Sequence, residues 1–199
     1  MSEAPPAPER GAVPALSAWW VLLGGVIGLV ASLALTVEKI RLLADPGYVP
    51  SCSLNPVLSC GSVMSTPQAA VLGFPNPLIG IAAFAVVATT GVLAVAGVRL
   101  PQWYWVGLTA GLAAGTAFVH WLIYQSLYVI GALCPYCMVV WAVTIPLLVV
   151  SATIAGNAEP GHKILQVLHR WRWTLTALWF IALILLIFVR FQDYWLTLG

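Results

Sequence analysis

The chain has 199 residues, of which 61% are hydrophobic and only 7% charged, with a formal net charge of +2. A soluble domain carries about a quarter charged residues, so this composition excludes an ordinary water-soluble fold and indicates an integral membrane protein. So small a net charge also argues against a nucleic-acid partner.

Residues 1–15, "MSEAPPAPERGAVPA", are rich in Pro and Ala and carry one basic residue, Arg10. They read as a disordered cytoplasmic tail. The first apolar run covers about 16–37. "SLA" at 32–34 faintly resembles a signal cleavage site, but the run is long enough to span and only Arg10 precedes it, so it reads as a retained helix. Further apolar runs lie at about 76–98, 103–131, 135–155 and 173–192. Each approaches or exceeds the roughly 20 residues that cross a bilayer, which gives five spans. Ten Trp, six Tyr and six Phe suit the aromatic belts of bilayer interfaces.

Orientation follows from Lys and Arg. With the amino terminus cytoplasmic, the inside set is Arg10, Arg99, Lys163, Arg170 and Arg172, and the outside set is Lys39, Arg41 and Arg190. The bias is mild, and the basic loop before the fifth span favours the same answer. The carboxyl terminus is then extracytoplasmic.

Small residues recur at four-residue spacing in the first span (Gly24, Gly28, Ser32) and in the third (Gly107, Gly111, Gly115), and both rows read as helix-packing seams. Pro146 predicts a kink in the fourth span. His120 is either a proton relay or a side chain hydrogen-bonded to a neighbouring helix, the second being the plainer reading.

The longest link, 38–75, is too apolar for an ordinary solvated loop. From Pro56 to Leu72 its apolar positions recur with roughly helical spacing, which predicts a short helical lid broken or restarted at Pro67.

Four cysteines fall in two pairs, Cys52 with Cys60 and Cys134 with Cys137, and three pairings are open. Both pairs fall in outer links, so all four thiols lie on one side, in an oxidising compartment. A c-type haem requires His after the second Cys of CxxC, where Met138 stands. A four-cysteine zinc site would combine C-x2-C with an unusual C-x7-C, and no metal is expected. Two inert bridges remain conceivable, but one across C-x2-C closes a loop so short that it constrains the unfolded chain little. Local physics favours redox chemistry. Cys134 falls at the N-cap of the fourth span, Pro135 at N1 and Cys137 at N3. Free amides and the helix dipole there stabilise a thiolate.

"CSLNPVLSCGSVMSTPQAAVLGFPNPLIG", followed far downstream by "CPYC" at a helix start, resembles the vitamin K epoxide reductase family over about residues 16–155. The order of the pairs is the reverse of that in DsbB-type oxidases. The resemblance implies an all-α membrane fold. Its four-helix transmembrane bundle would be joined by a fifth, peripheral helix and a helical lid in the first outer loop. The catalytic core would be 16–155, with 156–199 forming a basic cytoplasmic loop and the fifth helix. Four catalytic cysteines are implied. Cys52 and Cys60 would shuttle electrons, Cys60 would attack Cys134, and Cys137 would react with a quinone, either menaquinone or ubiquinone. Asn76 matches a family Asn that hydrogen-bonds a quinone carbonyl.

The chain departs from the family pattern in places. Thr66, beside Ser65, stands where the family often has Ser, and Trp141 stands where some relatives have Tyr. With Met64, these complete the expected quinone site. The implied setting is the bacterial inner membrane, in contact with the lipid bilayer. The implied donor is a separate extracytoplasmic DsbA-like protein of thioredoxin fold, since some relatives carry such a domain fused and this chain stops at Gly199. The alternatives are a non-enzymatic membrane subunit braced by disulfides, a quinone reductase with another thiol donor, and a reductase sending electrons outward.

Overall fold

The computed structural model describes residues 13–156 and 163–196, with side chains left undescribed over 163–169. The tail over residues 1–12 and the 157–162 part of the basic loop lie outside the described residues. Among the described residues, seven α-helices run in the order α1 (Ala15–Ala44), α2 (Cys60–Met64), α3 (Pro77–Val95), α4 (Gln102–Tyr124), α5 (Pro135–Gly156), α6 (Lys163–Arg190) and α7 (Gln192–Leu196). Five segments are long and apolar enough to cross a bilayer: Ala15–Ala44, Pro77–Val95, Gln102–Ile130, Pro135–Gly156 and Arg170–Arg190. The five expected spans are therefore present.

Helix α1 outlasts its apolar run by two turns. Glu38, Lys39 and Arg41 would end a span on hydropathy alone, but here the long link folds back onto them. The Glu38 carboxylate accepts from Tyr48 Oη (2.9 Å), Ser51 Oγ (2.6 Å) and Ser51 N (3.3 Å). Lys39 Nζ donates to Met64 O at 2.7 Å. Burial of Glu38 is tolerable because each contact supplies a donor to its charge.

The core is built where α1 packs along α3 and α5, and α4 along α5. The first-span seam is real. A Cβ at Gly25 would lie 2.6 Å from the Ala88 amide nitrogen, and one at Gly24 would meet Leu147. Gly28 accommodates the Phe84 ring, and Gly91 of α3 accommodates the Leu22 backbone. Packing of this kind, rather than hydrophobic transfer, holds helices together in lipid. The third-span seam is overturned. A Cβ at Gly107, Gly111 or Gly115 would meet nothing within 4 Å, because these residues face a cavity and not a neighbouring helix.

Two further differences concern the ends of elements. The third span continues beyond α4 as a π-helical turn over Gln125–Ile130, closed by Gly131 at φ 72°. Glycine enters this left-handed conformation without steric cost. The lid is two short pieces: α2, then a 3-10 turn over Pro67–Ala70 that Pro67 restarts. Pro146 lies inside α5 as expected.

Candidate redox site

Cys52 and Cys60 are joined by a disulfide, while Cys134 and Cys137 are free thiols. The first pair is shaped by local turns. Asn55 Oδ1 accepts from Val57 N (3.0 Å) and Leu58 N (2.7 Å), folding the chain at Asn55-Pro56. Ser53 Oγ accepts from Gly61 N at 3.1 Å and draws the Cys52 strand over α2. Ser59 caps α2 through its side chain, which places Cys60 at the first helical position.

The two pairs meet through one isolated parallel bridge, Leu58 with Leu133. Leu133 N donates to Val57 O at 2.7 Å, and Ser59 N donates to Leu133 O at 2.9 Å. That register sets Cys60 beside Cys134, with Sγ–Sγ 3.0 Å. Reacting atoms in near-attack geometry stand about 3–3.5 Å apart, and this contact meets that condition. Cys60 and Cys134 are each fully buried, in an apolar nest with Leu35, Cys52 and Met64. The sulfurs of Cys52, Cys60 and Cys134 lie within 4.8 Å of one another. Two of the three are joined in a disulfide, and the third stands in contact with it.

Cys134 immediately precedes α5, and Met138 N donates to its carbonyl at 3.0 Å. The expected N-cap placement holds. The Cys137 thiol facing Cys134 pulls the Cys134 pKa below that of an ordinary thiol; burial opposes this, and the amides of Cys137 and Tyr136 reinforce it.

Cys137 is half-buried and opens onto a cavity of ≈ 560 Å³ whose lining is almost wholly apolar. Of the four cysteines, it alone lines the cavity. The walls come from α1, the lid, α3, α4, the turn after it and α5, and the cavity runs along α4 from Leu122 to Trp103. At about 1.5 Å per residue that stretch is roughly 28 Å long, close to the thickness of the hydrocarbon core. Thr90 Oγ1 and Tyr104 Oη, 2.6 Å apart, tie α3 to α4 far from the cysteines.

Of the residues expected around a quinone, Met64, Thr66, Asn76 and Trp141 line this cavity with Cys137, and Trp141 is buried one helical turn beyond Cys137. Ser65 does not line it. Its exposed hydroxyl donates to Gly61 O at 2.7 Å and finishes the α2 turn. Thr66 Oγ1 is likewise bonded to backbone, donating to Val63 O at 2.8 Å. Asn76 holds the lid. Its Nδ2 donates to Gln68 O (2.7 Å), and its Oδ1 accepts from Val71 N (3.0 Å). An amide nitrogen carries two hydrogens, so one remains for another acceptor.

Sequence reasoning missed Lys39, Gln68 and Gln125, which all line the cavity, and Glu38, which fixes the link bearing Cys52. Gln68 Nε2 and Gln125 Oε1 meet at 3.5 Å between the lid and the turn that follows α4. The available signal was a charged pair continuing an apolar helix, with glutamines near span ends.

A family model described as Vitamin K epoxide reductase family matches residues 19–152. No curated protein matches the chain. The matched stretch holds all four cysteines, the lid and helices α2–α4. The chain belongs to the vitamin K epoxide reductase family: it is a membrane redox protein built around cysteine pairs.

Proposed function

We propose that this member of the vitamin K epoxide reductase family is a thiol:quinone oxidoreductase that generates disulfides. The observation that carries the reading is the chain of contacts from the Cys52–Cys60 disulfide, through the 3.0 Å gap to Cys134, to Cys137 at the cavity.

The proposed cycle begins with a dithiol donor, an extracytoplasmic DsbA-like protein of thioredoxin fold. It reduces Cys52–Cys60 to two thiols and leaves as a disulfide. The Cys60 thiolate attacks Cys134 Sγ, and Cys137 departs as thiolate. Cys52 then attacks Cys60, re-forming Cys52–Cys60 and releasing Cys134 as thiolate. The thiols of Cys134 and Cys137 give two electrons and two protons to a quinone substrate and return to the disulfide. The observed state, with Cys52–Cys60 oxidised and the other pair reduced, corresponds to the moment after internal transfer. Cys52 is only 6% exposed, so a protein donor requires the 45–52 strap to lift.

The cavity suits a flat quinone ring with an apolar tail. The free Asn76 hydrogen is the donor for a carbonyl, and the Trp141 indole packs beside Cys137. Whether menaquinone or ubiquinone is used depends on the ring, which the same cavity must seat next to Cys137. The mild charge bias supports an extracytoplasmic side for the cysteines and carboxyl terminus, and the family resemblance supports a bacterial inner membrane as the setting. All three basic residues of the outside set have structural partners: Lys39 on Met64 O, Arg41 on Tyr48 Oη and Arg190 on Leu127 O. Their presence on that face therefore has a reason independent of topology.

The test is reoxidation of a reduced thioredoxin-fold thiol oxidase by the purified protein and a quinone. One quinol per donor disulfide is expected. Turnover with small dithiols but with no protein donor would remove the disulfide-generating role and favour a quinone reductase with another thiol source.

A further inference from the structure

The family match ends at residue 152, yet the chain continues through α6 and α7. Only 6% of the α6 membrane window is buried, far less than in α1. It nevertheless touches the bundle at three levels. At the end remote from the cysteines, the Trp173 and Trp20 rings lie 5.8 Å apart. Further along, Trp179 Nε1 donates to His120 Nε2 at 2.8 Å, and His120 Nδ1 lies 2.8 Å from Thr116 O. That arrangement makes Nε2 the acceptor and places the imidazole hydrogen on Nδ1.

The contacts at the cysteine end differ in kind. Arg190 Nε donates to Leu127 O at 2.9 Å. Leu127 is fully buried and belongs to the last four residues of the helical segment that ends at Ile130, whose carbonyls lack helical partners. The next residue, Phe191, is buried among Val57, Leu127, Leu133 and Trp141. Tyr194 and Trp195 of α7 pack on the same cluster. Val57 and Leu133 are the residues whose backbones bond to set the register of Cys60 and Cys134. The end of α6 therefore rests on both strands of the bridge that creates the 3.0 Å contact.

We infer that Arg190 and Phe191 are positioning residues: α6 and α7 form a brace that holds Leu133–Cys134 against Val57–Cys60 and sets the rate of exchange between the two cysteine pairs. The inference rests on the exchange cycle proposed above and gives the fifth span a role in it.

The experiment uses the full chain in detergent, fully reduced and mixed anaerobically with excess quinone. The first equivalent of quinol draws its two electrons and two protons from Cys134 and Cys137 directly. The second requires internal exchange, because its electrons come from Cys52 and Cys60. In Arg190→Met the first equivalent should appear at the wild-type rate and the second about tenfold more slowly, since misplacement of reacting groups costs rate steeply. Arg190→Lys, which can still donate to Leu127 O, should restore most of the second rate. Trp173→Leu, which cuts the ring contact with Trp20 at the end remote from the cysteines, should leave both rates unchanged. If Arg190→Met loses the fold, Phe191→Leu carries the same prediction. Unchanged second-equivalent rates in folded Arg190→Met or Phe191→Leu would overturn the brace. No quinol from the wild-type protein would instead overturn the exchange cycle itself.

Discussion

Cys60 Sγ lies 3.0 Å from Cys134 Sγ while still bonded to Cys52, so three sulfurs stand ready to trade one covalent bond. The partners are 74 residues apart in the chain and meet because Leu58 and Leu133 pair. In Cys52→Ala/Cys137→Ala, only Cys60 and Cys134 remain, with no third thiol to resolve a bond between them. On addition of a mild two-electron thiol oxidant a Cys60–Cys134 disulfide is expected, detectable by acid quench, alkylation and peptide mass. Adding Leu133→Pro, which removes the amide that bonds Val57 O, should abolish that species.

The lowered Cys134 pKa sets a pH dependence. An ordinary thiol loses its proton near pH 8.5. Because the Cys137 thiol and two amides favour the Cys134 thiolate, the reverse exchange, in which Cys134 attacks the Cys52–Cys60 disulfide, should remain fast below that value. It should fall only as acid protonates Cys134 at its depressed pKa. The check is the single-turnover rate of that reverse exchange across pH. A midpoint at or above 8.5 would contradict a stabilised Cys134 thiolate.

Glu38 ties the 45–52 strap to α1 through Tyr48 and Ser51. Glu38→Ala leaves those donors without their acceptor, at a local cost of about 1–3 kcal/mol. Faster hydrogen exchange over 45–52 is expected, together with faster reduction of Cys52–Cys60 by a bulky protein thiol. Glu38→Gln retains an acceptor oxygen and should fall between the two.

The two glycine rows should respond in opposite ways. Gly25→Ala drives a methyl into the Ala88 backbone and should destabilise the α1–α3 seam, lowering the thermal midpoint. Gly111→Ala meets open space and should stabilise α4, by about 0.5–1 kcal/mol. Gly111→Leu should keep the fold while narrowing the cavity, raising the KM for a long-tailed quinone more than for a tailless one.

Much of this was legible in the chain. Apolar runs of sufficient length located all five spans, and the CPYC helix start followed from Pro135 at N1. The spacing of small residues was ambiguous. Gly24 and Gly28 face neighbours, whereas Gly107, Gly111 and Gly115 face a void, and an identical period cannot tell a seam from a groove. The end of α1 was misjudged because charge usually ends a span, and nothing local reveals that Tyr48 and Ser51 return to Glu38. Ser65 sits one residue from the cavity-lining Thr66, and only the turn after α2 decides which of the two residues faces the cavity. The role of α6 was invisible because Arg190 acts through a backbone carbonyl, which has no sequence signature.

The central claim is that electrons leave through Cys137 into the cavity. The most direct test is quinone reduction by the purified protein in detergent, driven by a reduced dithiol, with Cys137→Ala alongside. The account predicts quinol formation by the wild-type protein and none above background in folded Cys137→Ala. Equal quinol formation in the two, or none in folded wild-type protein with Cys134 and Cys137 free across several quinones, would contradict it.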